Sequence, residues 1–122
     1  METIDLGKAQ ISLINEHIVL FEADPETVVD QQAAINFYNK IEKHVSGHYS
    51  LIIHRKNKYQ LLRMEVFNVI NTREKLVGIA IVTPKNIAKK MADMEAPLSK
   101  KPFSTFSNID DATEWLNTLH GN

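Results

Sequence analysis

Polar and apolar positions change their spacing several times along the chain, and each change marks a new element. Lys8-Ala9-Gln10-Ile11-Ser12-Leu13-Ile14 alternates polar with apolar, and after Asn15-Glu16 the run His17-Ile18-Val19-Leu20-Phe21-Glu22-Ala23 is dense in β-formers. Together they predict a hairpin. Asp24-Pro25-Glu26-Thr27 reads as a turn that opens a helix, because Asp or Thr can cap free amides and acids suit the positive end of the helix dipole. In that helix Ala34, Phe37, Tyr38, Ile41 and Val45 recur at helical spacing opposite Gln31, Asn39, Lys40 and Lys43, and Ser46-Gly47 stops it.

Tyr49-Ser50-Leu51-Ile52-Ile53-His54 is almost continuously apolar, the pattern of a central strand covered on both faces. A polar loop, Arg55-Lys56-Asn57-Lys58-Tyr59, leads into residues 61–70, whose periodicity is poor but which read as helix. Leu76–Val82 is a second buried strand. Thr83-Pro84 then opens a helix with Ile87, Met91 and Met94 as its core face, and Ala96-Pro97 ends it. Pro102–Phe106 is a last strand. Asn108 caps a final helix with Ile109, Ala112, Leu116 and Leu119 inward, Trp115 beside that stripe and Gly121 in the closing position. The order is strand, strand, helix, then strand and helix three times. It predicts a single α/β domain over residues 1–122, with a mostly parallel or mixed five-stranded sheet, an N-terminal hairpin and about four helices.

Composition narrows the chemistry. The chain has 122 residues and no cysteine, which excludes disulfides, thiol catalysis and cysteine-based metal sites. The acidic start Met1-Glu2-Thr3-Ile4-Asp5 is unlike a signal peptide, and no apolar run approaches the roughly 18 residues of a membrane span, so the expectation is a soluble cytoplasmic protein. A net charge of −1 argues against nucleic acid as partner. The distribution says more than the sum: residues 1–48 carry three bases and eight acids (−5), residues 49–102 eleven bases and four acids (+7), and residues 103–122 three acids (−3). The basic middle is either a solvated surface or a contact for an anion, an acidic protein or a membrane.

The order of elements, the strand and cap Val77-Gly78-Ile79-Ala80-Ile81-Val82-Thr83, and the closing run from Lys101 to Leu116 with its Ala112-Thr113-Glu114-Trp115-Leu116 helix resemble the SpoIIAA-like branch of the STAS-type fold, related in shape to CRAL-TRIO lipid-binding domains. The resemblance covers nearly the whole chain. It implies either an antagonist of an anti-sigma factor switched by phosphorylation, or a binder of lipid or membrane. The switch sits on a Ser or Thr at the helix after the central strand, and here residues 54–71 contain no Ser, Thr or Asp. This sequence keeps the bases and lacks the acceptor hydroxyl, so an anion brought by another molecule fits better.

Ligands of open α/β sheets sit outside the carboxyl ends of the parallel strands. Those ends deliver His54, Arg55, Asn57 and Tyr59, then Thr83, Lys85 and Asn86, then Ser107 and Asn108. The expected site is a crevice for an anionic small molecule or lipid headgroup, with Arg55 as a bidentate fork, Thr83 and nearby amides as a cradle and Tyr59 as a wall, supported by Asn57, Lys85 and Asn86. The competing reading is that Arg55, Asn57 and Tyr59 close the loop structurally. Leu62 and Phe67, flanked by Lys56, Lys58 and Arg63, are either a face for an anionic membrane or an acidic protein partner, or core or homodimer surface. His44 and His48 have ligand spacing, but Ser46-Gly47 breaks the helix between them and no third ligand is near. No Gly-rich phosphate loop, H-E-x-x-H or G-x-S-x-G occurs. The expectation is a non-enzymatic module with no catalytic residues, metal or cofactor, the alternative being a STAS-type protein-interaction regulator.

Overall fold

A computed structural model describes residues 2–55 and 60–121, without the side chains of Gln60, Lys85, Ala88 and Met91. The elements are β1 (Thr3–Asp5), β2 (Ala9–Leu13), β3 (Ile18–Ala23), β4 (Val28–Val29), α1 (Gln31–Glu42), β5 (Tyr49–His54), β6 (Gln60–Leu61), α2 (Arg63–Ile70), β7 (Leu76–Val82), α3 (Lys85–Glu95), a 3-10 turn (Ala96–Leu98), β8 (Phe103–Phe106) and α4 (Ile109–Leu119). The class is α/β, as the sequence predicts, with a six-stranded mixed sheet in the order β1-β2-β3-β5-β7-β8. β1, β2 and β3 form an antiparallel meander, and β3, β5, β7 and β8 are parallel neighbours. β4 and β6 make a separate parallel pair.

The predicted hairpin is β2 and β3, with Ile11 opposite Phe21. Its turn is held by Asn15, whose Oδ1 accepts the backbone N–H groups of His17 at 2.8 Å and Ile18 at 3.0 Å. The additional strand β1 leaves no periodic signal because it has only three residues, and Gly7, at φ +104°, turns it back into β2.

Alternation places two cores on the two sheet faces. On the first, Ile11, Val19, Phe21, Leu51, Ile79 and Ile81 meet Phe37, Tyr38 and Ile41 of α1 and Val66, Phe67 and Ile70 of α2. On the second, Ile18, Leu20, Ile52, Ala80 and Val82 meet Ala112 and Leu116 of α4, with Trp115 beside Phe106 at 5.6 Å between ring centroids. β5 and β7 are therefore covered on both sides, which is why they read as apolar runs. α4 comes so close to β7 that a Cβ on Gly78 would lie 2.5 Å from Leu119 Cδ1.

Both ends of α1 differ from the sequence expectation, and Leu61 and Leu62, expected inside the next helix, lie in β6 and at the cap position before α2. Asp24-Pro25-Glu26-Thr27 does not start the helix: Glu26 adopts φ 64° and Thr27 N–H bonds back to Asp24 O at 3.3 Å, so the proline initiates a tight turn. The chain pairs through β4 before α1 begins, and the cap is Asp30, whose Oδ1 accepts Ala33 N–H at 2.9 Å. α1 also closes earlier than Ser46-Gly47, at Lys43, leaving Val45 packed on the first core from outside the helix.

The orientation of α3 is a second correction. Ile87 and Met94, expected inside, are 37% and 43% exposed. Pro84 rather than Thr83 occupies the cap position, with no side-chain cap bond. The buried residue of this helix among those described is Glu95. Among the described residues no helix is long and apolar enough to cross a membrane.

Candidate functional site

The strand order sets where a site can form. From β3 to β8 it runs in one direction without reversal, so the parallel half has no switch point at which loops diverge to leave a crevice. Alternation along β5 turns neighbouring residues at its end to opposite faces. Arg55, just beyond β5, points with Ile53 and Leu51 toward the face under α1 and α2, while His54 lines a cleft on the α4 side.

Under α1 and α2 lies an apolar cavity of about 40 Å³, walled by Phe21, Phe37, Leu51, Val66, Phe67 and Ile70 among others. Its lining includes one acid and one base, Glu95 and Arg55. Arg55 grips Glu95 with both terminal nitrogens, Nη1 to Oε2 at 2.8 Å and Nη2 to Oε1 at 2.7 Å, the paired geometry in which a guanidinium holds a carboxylate best. Glu95 is fully buried and the Arg55 side chain is 10% exposed. Arg63, at the first position of α2, sends Nε to within 3.4 Å of Glu95 Oε2 from a side chain one-third exposed. Two guanidinium groups thus converge on one carboxylate in the wall of an apolar cavity.

The fork assigned to Arg55 is therefore occupied by a carboxylate of the chain itself. Of its expected companions, Thr83 is buried with its N–H on Phe106 O at 3.0 Å, and Asn86 is exposed on the first turn of α3. Lys56, Asn57, Lys58 and Tyr59 lie outside the described residues, as does the Lys85 side chain. In the expected partner face, Leu62 is half-buried. Phe67 is 3% exposed and packs edge-on against Phe103 at 6.0 Å, so its ring belongs to the core and is closed to a partner.

The second cleft, about 290 Å³, is lined by His54, Val82, Ser107, Asn108, Ile109 and Asp110. Asn108 Oδ1 already accepts Asp111 N–H at 2.8 Å, and Asp110 and Asp111 make this helix start acidic. That is unfavourable for an anion. His54 Nδ1 lies 3.3 Å from Glu22 Oε2.

At the opposite end of the sheet Ser50 Oγ and His120 Nε2 are 2.7 Å apart, a contact between residues seventy positions apart that local spacing does not reveal. The His120 ring stacks on His17 at 4.9 Å. Burial, followed by the charges of His17 and His48, holds the His120 imidazole below its ordinary range. Ser50 is fully buried in β5, so the pair ties α4 to the sheet and offers no hydroxyl to a substrate. Nearby, Tyr49 donates to Glu42 Oε2 at 2.9 Å and Arg73 Nε donates to the same atom at 3.0 Å. Burial works to raise the Glu42 carboxyl, but these two hydrogen bonds and the charges of Arg73 and Lys75 outweigh it and lower the group. Burial, with the charges of Tyr38 and Glu42 and the hydrogen bond to Glu42, pushes the Tyr49 hydroxyl far up.

Among the described residues no three His, Asp or Glu side chains gather as a metal site. No protein-family model, no curated protein sequence and no solved structure matches this chain.

Proposed function

We propose that the protein is a non-enzymatic binding module that takes an anionic small molecule or lipid headgroup beside the carboxyl ends of its parallel strands, and that its kinship is with the SpoIIAA-like, STAS-type proteins that its sequence resembles. The observation that supports the binding reading is the meeting of Arg55 and Arg63 on one carboxylate that lines the apolar cavity. Apolar walls with a few convergent polar groups are the usual makeup of a small-molecule site. Arg63, one-third exposed, is the cation an incoming anion meets first.

The test is a thermal-melt screen of the purified protein against phosphorylated metabolites, carboxylates and short-chain anionic lipids. A ligand at 100 times its Kd adds about 2.7 kcal/mol, enough to raise the midpoint by several degrees. Arg63→Gln, which leaves the Arg55–Glu95 pair intact, abolishes the shift if the site is placed correctly. A flat response across the panel overturns the reading in favour of a protein-interaction regulator. The exposed Ile87 and Met94 beside the exposed Lys89 and Lys90 on α3 favour that second reading.

A further inference from the structure

The buried ion pair is placed like a complex between a basic site and a carboxylate ligand, with the ligand supplied by the chain. Glu95 is the last residue of α3, and it lines the cavity, where Arg55 takes its carboxylate with two parallel hydrogen bonds and the one-third-exposed Arg63 approaches it from the solvent side. The same helix leaves Ile87 and Met94 exposed. A helix with such exposed apolar positions, tied inward through a terminal carboxylate, is held in part by an anchor that a competing carboxylate can replace.

Accepting the anion-binding reading above, we infer that its ligand is a short-chain monocarboxylate of about four to six carbons, and that it binds by displacing Glu95 from Arg55 and Arg63. The carboxylate follows from the geometry, since the fork is already set for two parallel oxygens. The chain length follows from space. An apolar cavity of about 150 Å³ accommodates benzene; at that scale 40 Å³ accommodates one or two carbons, and the volume Glu95 vacates accommodates a few more. Phosphate has no tail for the apolar walls, and an alcohol of the same length has no charge for the arginines. Displacement frees the end of α3, so binding and release of this helix are one event.

Isothermal titration with acetate, butyrate, hexanoate, hexanol and inorganic phosphate tests this, on the wild type and on Glu95→Gln. In the wild type, affinity for carboxylates rises by about fourfold per methylene until the cavity is full, and hexanol and phosphate bind more weakly than hexanoate. In Glu95→Gln the internal competitor is weakened, and hexanoate binds at least about tenfold tighter, the factor by which the competent state was depleted. Hydrogen exchange on the wild type gives a readout that needs no variant: saturating hexanoate accelerates exchange at the amides of α3 near Glu95 and leaves β5 protected. Anion binding that depends on Arg63, with no gain from chain length and none from Glu95→Gln, overturns this inference and leaves the anion-binding reading standing. Absence of binding by every carboxylate and phosphate, in both proteins, overturns both.

Discussion

Glu95→Ala removes the carboxylate from a guanidinium that has almost no access to water. The Arg55 side chain is 10% exposed and Glu95 is fully buried, so solvent cannot replace the lost partner. Breaking such a pair from one side costs about 3–5 kcal/mol, chiefly the cost of a stranded buried charge. A chain of this length has a total stability of roughly 6–18 kcal/mol at the usual allowance per residue, so the single change removes a large fraction of it and lowers Tm by on the order of 10–20 °C. The double replacement Arg55→Met with Glu95→Leu removes both charges together and is expected to fall near the wild type, because a buried pair gains little over well-packed apolar residues. Arg63→Ala is the internal control. Its contact is longer, at 3.4 Å, from a side chain one-third exposed, and its loss costs less than about 1 kcal/mol. Urea unfolding followed by Trp115 fluorescence measures the wild type, these variants and the single changes Arg55→Met and Glu95→Leu that close the cycle, since that indole packs against Phe106 in the second core. A Glu95→Ala loss under 1 kcal/mol, or a cycle in which the two single changes simply add, would refute the claim that the two residues act as a buried unit.

Three further outcomes are expected. Gly78→Val forces its side chain into the space of Leu119 and costs about 2 kcal/mol, part of which returns when Leu119→Ala is added; additive effects in thermal melts would show that α4 does not approach β7 as closely as described. Because the folded-state value of His120 lies below its ordinary 6.5, the unfolded chain binds the proton more readily, so stability is full above that pH and declines as pH falls below 6.5 toward the folded value; chemical denaturation between pH 7.5 and 5 should show this decline, smaller in His120→Gln. Met94→Ala, 43% exposed in the wild type, changes stability by less than about 0.5 kcal/mol, whereas a loss of 2 kcal/mol in the same denaturant titration would return that residue to the core.

What was legible in the sequence follows from how each element earns its stability. β5 and β7 are covered on both faces, so every position is under pressure to be apolar, and the runs stand out. α4 combines a true cap at Asn108 with an inward stripe on Ala112 and Leu116, two signals that agree. β1 and the β4–β6 pair were invisible because two or three residues hold no period. The start of α1 was misplaced because Asp24-Pro25 suits a helix entry and a tight turn equally, and only the pairing of Val28 and Val29 with residues far along the chain decides between them. α3 misled for a sharper reason. Its hydrophobic residues at 87 and 94 share a stripe, but the tertiary anchor is an acid on another side of the helix, next to Ala92 in the stripe pattern. An isolated Glu in line with small apolar residues was the available signal. Arg55 stands out in the sequence by its place at the end of a central strand, but the carboxylate it grips lies forty positions away and no local pattern reveals it.

The strand order also has a consequence for how the chain is made. Because the main sheet runs β1-β2-β3-β5-β7-β8 without a reversal, each strand leaving the ribosome finds its partner already present at the growing edge, and no earlier edge has to be kept open for a later insertion. The first face can close as α1 and α2 arrive. The second face waits: Ile18, Leu20, Ile52, Ala80 and Val82 are covered by α4, which is synthesised after all of these strands. Until then a nascent chain displays a bare apolar sheet, the kind of surface that chaperones hold and that aggregates when left alone. Chains that stop short of Ile109 should therefore be recovered as insoluble material, because they lack the eleven-residue helix that covers this face.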